Sequence, residues 1–302
     1  MNKLSQCYLC GAPIIDNFLT AYDRQFPRVE DYNYSKCRSC GLVFMNPLPL
    51  PEHLAGFYPG EYSPHQEKPG DMKRKSKRNI FSPHGSNRLL EVGCGIGSLL
   101  QRHNEIGWKV KGVEINPAAC EICRARGLDV HCGTLLDAPL GDEKFDVIFF
   151  NHVIEHLLDP VAIFKKASEL LAPEGRIILL TPNSGSMGFG RYRSAWYHLD
   201  APRHIFIYGA GSLKGLCDRT GLKIAGIRTL PSTRIWLQSE NIERMQGQTL
   251  ANSLEERKKL IRSSADTKKK SHFFRLLMSP VCAISARLGA GENLRAELVK
   301  TK

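Results

Sequence analysis

Leu90-Glu91-Val92-Gly93-Cys94-Gly95-Ile96-Gly97 joins a short apolar run to a segment with helical periodicity. Alternating glycines allow the backbone to turn sharply and to approach a ligand closely, and the N-terminus of the following helix offers unpaired N–H groups. Glu114 ends the next apolar run, 21 residues after Gly93, at a spacing where a carboxylate reaches the hydroxyls of a ribose. The pattern predicts a nucleoside crevice at the ends of two strands.

Apolar runs and helical segments continue to alternate after this turn, which predicts an α/β fold with a doubly wound, mostly parallel, seven-stranded sheet. In such a sheet, ligands bind outside the carboxyl ends of the strands. We expect strands at 89–92, 109–114, 128–132, 145–150, 175–181 and 222–229, and a final edge strand at 292–299. Helices are expected near 97–106, 117–126, 160–171 and 210–219.

Four of the ten cysteines stand in two Cys-x-x-Cys-Gly turns that are separated by 26 residues. Each turn can direct two thiolates at one point, and two such turns supply the four sulfur ligands of a tetrahedral zinc site. This arrangement resembles the zinc-ribbon family. Because all four positions are filled by protein, we expect the zinc to be structural. The ligands are Cys7, Cys10, Cys37 and Cys40.

The chain has 302 residues and is 42% hydrophobic, which is enough for one α/β core and additional modules. We predict a zinc ribbon at 1–48 and an irregular connector, rich in proline, glycine and basic residues, at 49–87. The α/β domain is expected at 88–302, with a basic helical insertion at about 235–290. The basic cluster in the connector is expected to be solvated.

Two features argue against a dinucleotide in the glycine turn. The third glycine comes one residue too early for the Gly-x-Gly-x-x-Gly pattern, and Glu91 would place a negative charge beside a pyrophosphate. The same charge would attract a ligand that carries an ammonium and a sulfonium group and no phosphate.

The segment from about 88 to 230 resembles the class I S-adenosylmethionine-dependent methyltransferases. The resemblance is based on the glycine turn, on Glu114, on Phe145-Asp146-Val147-Ile148 and on Asn-His-Val-Ile-Glu-His-Leu at 151–157. It implies an enzyme with S-adenosyl-L-methionine as its cofactor. No Asn-Pro-Pro-aromatic turn follows the fourth strand, which disfavours methylation of an exocyclic amine of a nucleobase. No cysteine stands in the loops after the fourth and fifth strands, which disfavours methylation of cytosine C5 by covalent catalysis.

The resemblance also implies roles for individual residues in the cofactor crevice. Glu91 would bind the ammonium group, Glu114 would bind the ribose hydroxyls, and Ile115 would flank the adenine. The other implied cofactor contacts are Gly93, Gly95, Gly97, Leu135 and Asn151.

The acceptor site is expected in the polar run His-Leu-Asp-Ala-Pro-Arg-His at 198–204. His204 and His198 are candidates for the base that removes a proton from the acceptor, and Arg203 is a candidate for holding an anionic acceptor. In the alternative interpretation, His204 binds a backbone carbonyl and holds its loop in place.

A second group of polar residues follows the fourth strand. His152, Glu155 and His156 have a spacing that resembles a zinc-protease signature. That signature needs a long helix, whereas a short turn is expected here. We therefore favour a structural role for Glu155 and His156, and a second metal remains the alternative.

Three hypotheses for the function remain open. The first is methylation of an oxygen or carbon of a small-molecule or glycan-type acceptor, such as a sugar nucleotide or a polysaccharide precursor. The second is RNA methylation, with the ribbon and basic tracts binding phosphates. The third is a non-catalytic binding scaffold. The net charge of +12 favours anionic partners without distinguishing among them.

The sequence gives two indications about location. The first residues lack the apolar run of a secretory signal, and the apolar stretch near the C-terminus is interrupted by Arg275 and Arg287. We expect a cytoplasmic protein without a transmembrane segment. For the basic helix near 272–288, we favour packing on the sheet over peripheral contact with a membrane.

Overall fold

The computed structural model describes residues 3–26, 30–58, 81, 85–248 and 270–301. Its N-terminal part begins with three antiparallel strands, β1 (Ile14–Tyr22), β2 (Asp31–Cys37) and β3 (Val43–Met45). Helix α1 (Pro51–Phe57) follows within the predicted connector, so the connector contains regular structure. The basic cluster at 73–78 lies outside the described residues.

The larger domain is built on a seven-stranded sheet, which confirms the predicted fold class. Its strands are β4 (Arg88–Val92), β5 (Lys109–Glu114), β6 (Val130–Cys132), β7 (Phe145–Asn151), β8 (Leu171–Pro182), β10 (Leu222–Leu230) and β11 (Asn293–Lys300). The order is β10-β11-β8-β7-β4-β5-β6. β11 is antiparallel to both of its neighbours, whereas β4 to β8 are parallel.

The position of β11 differs from the prediction of a final edge strand. It pairs with β8 on one side and with β10 on the other, so the edge strands are β10 and β6. The alternating pattern of the segment identified a strand, but an alternating pattern does not specify which strands become its neighbours. The intervening helices bring the C-terminal strand back into the sheet.

The first four helices of the larger domain are α2 (Ser98–Glu105), α3 (Pro117–Ala125), α4 (Pro160–Leu170) and α5 (Met187–Tyr192). They are followed by α6 (Ala210–Asp218), α7 (Thr233–Gln248) and α8 (Lys270–Arg287). Asn116 and Asp159 cap α3 and α4 by accepting backbone N–H groups, and a proline occupies the first turn of each helix. The sequence therefore specifies where both helices begin.

The helices form separate apolar layers on the two faces of the sheet. Leu100 of α2 and Cys120 of α3 pack on one face, together with Phe81. Phe164 of α4 and Leu213 of α6 belong to the core of the other face, which continues into the N-terminal part. β7 is buried at every position except its last, as expected for a strand that is covered on both sides.

A short strand joins the two parts of the chain. β9 (Phe206–Ile207) pairs with β3, and the N-terminal sheet has the order β1-β2-β3-β9. The predicted boundary at residue 48 remains a prediction, but the sheet itself includes residues from both sides of that boundary. The acceptor-side run at 198–204 directly precedes β9.

The insertion predicted at about 235–290 contains helices α7 and α8. Phe274 and Met278 of α8 pack against the core, whereas Leu276 and Leu277 are 67% and 58% exposed. Helix α8 therefore packs against the core with one side, and its other side is exposed. Among the described residues, no helix combines the length and the apolar character needed to cross a membrane.

Candidate active site

The glycine turn connects β4 to α2 at the carboxyl end of the sheet. Gly93, Gly95 and Gly97 have φ values of 71°, 54° and 74°, a region that favours glycine. A Cβ at Gly93 would lie 2.5 Å from Val153 Cγ2, and one at Gly97 would lie 2.5 Å from Leu128 Cδ1. A Cβ at Gly95 would meet no described atom within 4 Å. Gly95 therefore faces open space that a ligand can enter.

Two buried carboxylates flank this turn. Glu114 accepts hydrogen bonds from Gly95 N at 2.8 Å and from Asn116 N at 2.9 Å, which holds its side chain against the turn. Glu91 is buried on β4. The pKa of the Cys94 thiol is raised by its hydrogen bond with the Cys123 thiol, by burial and by the negative charges of Glu91 and Glu114. The turn thus lies in a negative field that suits a cationic ligand.

The other predicted cofactor residues differ in their access to this crevice. Ile115 follows Glu114 and is 65% exposed, and Asn151 is exposed at the end of β7. Leu135 is buried and leaves almost no surface for a ligand, which argues against its predicted contact. Asp137 was missed by the sequence analysis, and its carboxylate accepts the N–H and hydroxyl of Thr134 in the turn after β6.

His152 and Glu155 form a hydrogen-bonded pair directly after β7. His152 Nδ1 donates to Glu155 Oε1 at 3.0 Å, and the Thr181 hydroxyl donates to Glu155 Oε2 at 3.0 Å. The Glu155 side chain is fully buried, whereas the His152 side chain is partly exposed. Burial raises the pKa of Glu155. The hydrogen bond from His152 and the positive charge of its ring have a larger effect in the opposite direction and lower this pKa to about 2. Burial lowers the pKa of His152, but its bond with Glu155 gives a net rise.

His156 and His204 lie behind this pair. His156 Nδ1 donates to the carbonyl of Arg203 at 3.0 Å, and His204 Nδ1 donates to the carbonyl of His198 at 2.6 Å. The rings are nearly perpendicular, with centroids 4.7 Å apart. Burial lowers the pKa of both rings, to about 4 for His156. The carbonyl contact of His204 matches the alternative interpretation, and its burial argues against its predicted role as a base.

His198, the second predicted base, stacks on His152. The two rings are 5.6 Å apart and almost parallel. Burial, together with the charges of His152 and His204, lowers the pKa of His198 well below its usual value. Its Nε2 is buried and has no hydrogen-bond partner among the described residues. His198 therefore supports the position of the His152 ring from behind.

Arg203 does not have the environment expected of an acceptor-binding residue. Its fully buried guanidinium binds Asp200 through Nε and Nη2, both at 2.8 Å, and binds Asp23 through Nη1 at 3.1 Å and Nη2 at 2.9 Å. The predicted contact with an anionic acceptor is therefore contradicted by the structure. Because Asp23 lies in the N-terminal part, its ion pair with Arg203 connects the acceptor-side loop to that part.

The four cysteines of the N-terminal turns form one cluster. Their sulfur atoms all lie within 4.8 Å of one another, with Cys7 and Cys40 at 3.7 Å and Cys10 and Cys37 at 3.5 Å. Ser39 N and Cys40 N both donate to Cys37 Sγ at 3.3 Å. The bond from Cys40 lowers the pKa of Cys7 to about 5. Four converging thiols with these spacings fit a tetrahedral zinc ion.

The family model described as a methyltransferase domain matches residues 64–226. The chain belongs to this methyltransferase family. The matched range includes the glycine turn, both flanking carboxylates and the His152–Glu155 pair. The class predicted from the glycine turn and from Glu114 is therefore confirmed.

Known relatives match part of this chain. A ubiquinone biosynthesis O-methyltransferase from Bradyrhizobium diazoefficiens is 29% identical over 126 residues, which are 38% of this chain and 49% of that protein. A malonyl-acyl carrier protein O-methyltransferase from Serratia marcescens is 28% identical over 126 residues, 41% of this chain and 49% of that protein. The chain thus spans about half the length of these curated relatives.

A solved structure, a SAM-dependent methyltransferase from Archaeoglobus fulgidus, aligns with a TM-score of 0.46 and 19% identity. The alignment covers 72% of this chain and 87% of that one.

Besides Asp137, two features of the site were not identified from the sequence. His152 stands in the loop after the fourth strand, where a general base is expected, but His204 and His198 were preferred as candidates for the base. Asp23 was also given no role, since a residue 180 positions away from Arg203 gives no local sign of contact.

Proposed function

We propose that this chain transfers the methyl group of S-adenosyl-L-methionine to an oxygen atom of a small-molecule acceptor. The observation that carries the proposal is the partly exposed His152, which is oriented by the buried Glu155. Both residues lie in the turn that packs against the glycine turn. Val153, the residue after His152, would collide with a Cβ at Gly93. The turn that carries His152 therefore contacts the glycine turn at Gly93, which supports a role of His152 near the cofactor.

The chemistry assigns one task to each part of the site. The sulfonium group supplies an activated methyl group, so the protein must align the acceptor and remove its proton. Glu91 and Glu114 would hold the ammonium and ribose ends of the cofactor in the negative field around Gly95. His152 would accept the acceptor proton on Nε2, because its Nδ1 proton is already donated to Glu155. Glu155 acts as a positioning residue.

The four-cysteine cluster would hold a structural zinc ion. It supports this proposal through its sulfur spacings and through the N–H groups directed at Cys37. Zinc at this place would stabilise the N-terminal sheet, which includes β9 and therefore fixes the end of the acceptor-side loop.

An oxygen acceptor is the part of the proposal that the relatives support by their names. The glycan-type acceptor expected from the sequence remains a prediction, as does an RNA acceptor. Transfer of labelled methyl groups tests the proposal: purified protein is incubated with methyl-tritiated S-adenosyl-L-methionine and a panel of phenols and carboxylic acids. We expect tritium in at least one methyl ether or ester. Hydrolysis of the cofactor without transfer to any member of the panel would contradict an oxygen acceptor of these types.

A further inference from the structure

Glu155, His156 and His204 come together beneath the turn that follows β7. One ligand atom from each of them lies within 4.8 Å of the others. The ligands of a single tetrahedral zinc ion, bonded at about 2.0–2.2 Å, lie roughly 3.3–3.6 Å from one another. The three atoms would therefore have to move closer by up to about 1.5 Å to share one ion.

The hydrogen bonds of both imidazoles fix the tautomer that a metal requires. Backbone carbonyls can only accept, so the Nδ1 atoms of His156 and His204 carry the protons that bind Arg203 O and His198 O. The Tyr58 hydroxyl lies 2.9 Å from His156 Nδ1 and accepts from the same N–H. The lone pair of each ring is consequently on Nε2. Metal-binding histidines have this arrangement, with one nitrogen on the metal and the other donating to a backbone carbonyl or carboxylate.

The third ligand supplies negative charge. One oxygen of Glu155 accepts a hydrogen bond from His152 and the other accepts one from Thr181, whereas a carboxylate has about four acceptor positions in total. The nearby guanidinium of Arg203 is neutralised by Asp23 and Asp200. A cation in the cluster would therefore meet a carboxylate and two neutral imidazoles.

We propose that Glu155, His156 and His204 bind one divalent transition-metal ion, separate from the ion of the four-cysteine cluster. Two imidazole nitrogens and one carboxylate suit zinc or cobalt better than magnesium or calcium, which prefer oxygen ligands. The ion would join the turn after β7 to the loop before β9. This inference goes beyond methyl transfer and holds whether or not the acceptor is an alcohol or an acid.

Metal content distinguishes this site from the cysteine cluster. The full-length chain is stripped with a chelator, reloaded with Zn²⁺, desalted and measured by plasma mass spectrometry. The test variant is His204→Asn, because an asparagine amide can keep the donation to His198 O while it removes the Nε2 ligand. The matched variant, Cys40→Ser, removes a ligand of the other cluster.

We expect the wild-type chain to hold one more equivalent of Zn²⁺ than His204→Asn, and Cys40→Ser to retain the ion that His204→Asn loses. Equal zinc contents in the wild-type chain and in a folded His204→Asn would overturn the proposal. A Co²⁺ titration of Cys40→Ser needs no histidine variant, in case His204→Asn does not fold. Because the three remaining thiols can still bind Co²⁺, the titration should saturate at two equivalents, one with thiolate charge-transfer bands and one with ligand-field absorption only. Saturation at a single, thiolate-bound equivalent would also overturn the proposal.

Discussion

The hydroxyl of Tyr34 donates a 2.7 Å hydrogen bond to the backbone carbonyl of His204. Tyr34 lies on β2 of the N-terminal sheet, and His204 lies in the acceptor-side loop of the methyltransferase domain, 170 residues later. Arg24 makes parallel contacts to the carbonyls of Tyr197 and Leu199 in the same loop. The N-terminal part therefore holds the backbone on which His198 and His204 are placed.

Loss of the Tyr34 hydroxyl should destabilise the chain. Tyr34→Phe leaves the buried carbonyl of His204 without this donor, which costs about 1–3 kcal/mol of unfolding free energy. Urea denaturation followed by circular dichroism measures the change. Tyr208→Phe is the matched control, because Tyr208 is equally buried and its hydroxyl has no partner among the described residues. Equal losses in the two variants would contradict the role of the Tyr34 bond.

Breaking the buried ion network should have a larger effect. Asp23→Ala removes one of the two carboxylates that bind the Arg203 guanidinium, and removing one partner of a buried pair costs about 3–5 kcal/mol. The same denaturation experiment measures this loss. Asp218→Ala removes an exposed pair with Lys214 and should change stability by no more than about 0.5 kcal/mol. A loss below about 1 kcal/mol for Asp23→Ala would show that the network is not needed.

The cysteine cluster gives a prediction on metal content. Cys10→Ser removes one of the four sulfur ligands, so zinc binding at the cluster should weaken and the thermal midpoint should fall. Cys132→Ser is the control, because Cys132 is a free, partly buried thiol outside the cluster. Metal analysis and differential scanning calorimetry check both variants. An unchanged zinc content in Cys10→Ser would mean that the cluster does not hold the ion.

The His152–Glu155 pair gives a prediction on turnover. His152→Asn can keep a donor to Glu155 but removes Nε2, so kcat should fall by about 10²- to 10⁴-fold. Affinity for S-adenosyl-L-methionine should stay the same, and calorimetry measures it. His53→Asn, on α1, is the control and should keep full activity. If His152→Asn retains the wild-type kcat and its pH dependence, another group removes the proton.

The sequence was sufficient for the elements whose signals are local. The predicted strand 109–114 matches β5, and the caps at Asn116 and Asp159 identify the starts of two helices. The glycine turn and Glu114 were also predictable, since positive φ and strand-end carboxylates follow from residue type and spacing. The observed position of Gly95 against Glu114 agrees with that expectation.

Contacts between distant segments could not be predicted in this way. The insertion of β11 between β8 and β10, the pairing of β9 with β3 and the binding of Arg203 by Asp23 all depend on tertiary packing. The polar character of the run 198–204 suggested an open acceptor site. Instead, Arg203 and His204 are buried against the N-terminal part and have partners within the protein. His152, which pairs with Glu155, stays partly exposed.

We expect the turn at Gly95, between Glu91 and Glu114, to bind S-adenosyl-L-methionine. Isothermal titration calorimetry tests it with Gly95→Arg and the matched variant Gly141→Arg, since Gly141 has a φ of 51° and also faces open space, but lies in the loop before β7. We predict micromolar binding to the wild-type chain and to Gly141→Arg, and no measurable binding to Gly95→Arg. Unchanged binding to Gly95→Arg, or a preference of the wild-type chain for a dinucleotide, would show that this turn is not a site for S-adenosyl-L-methionine.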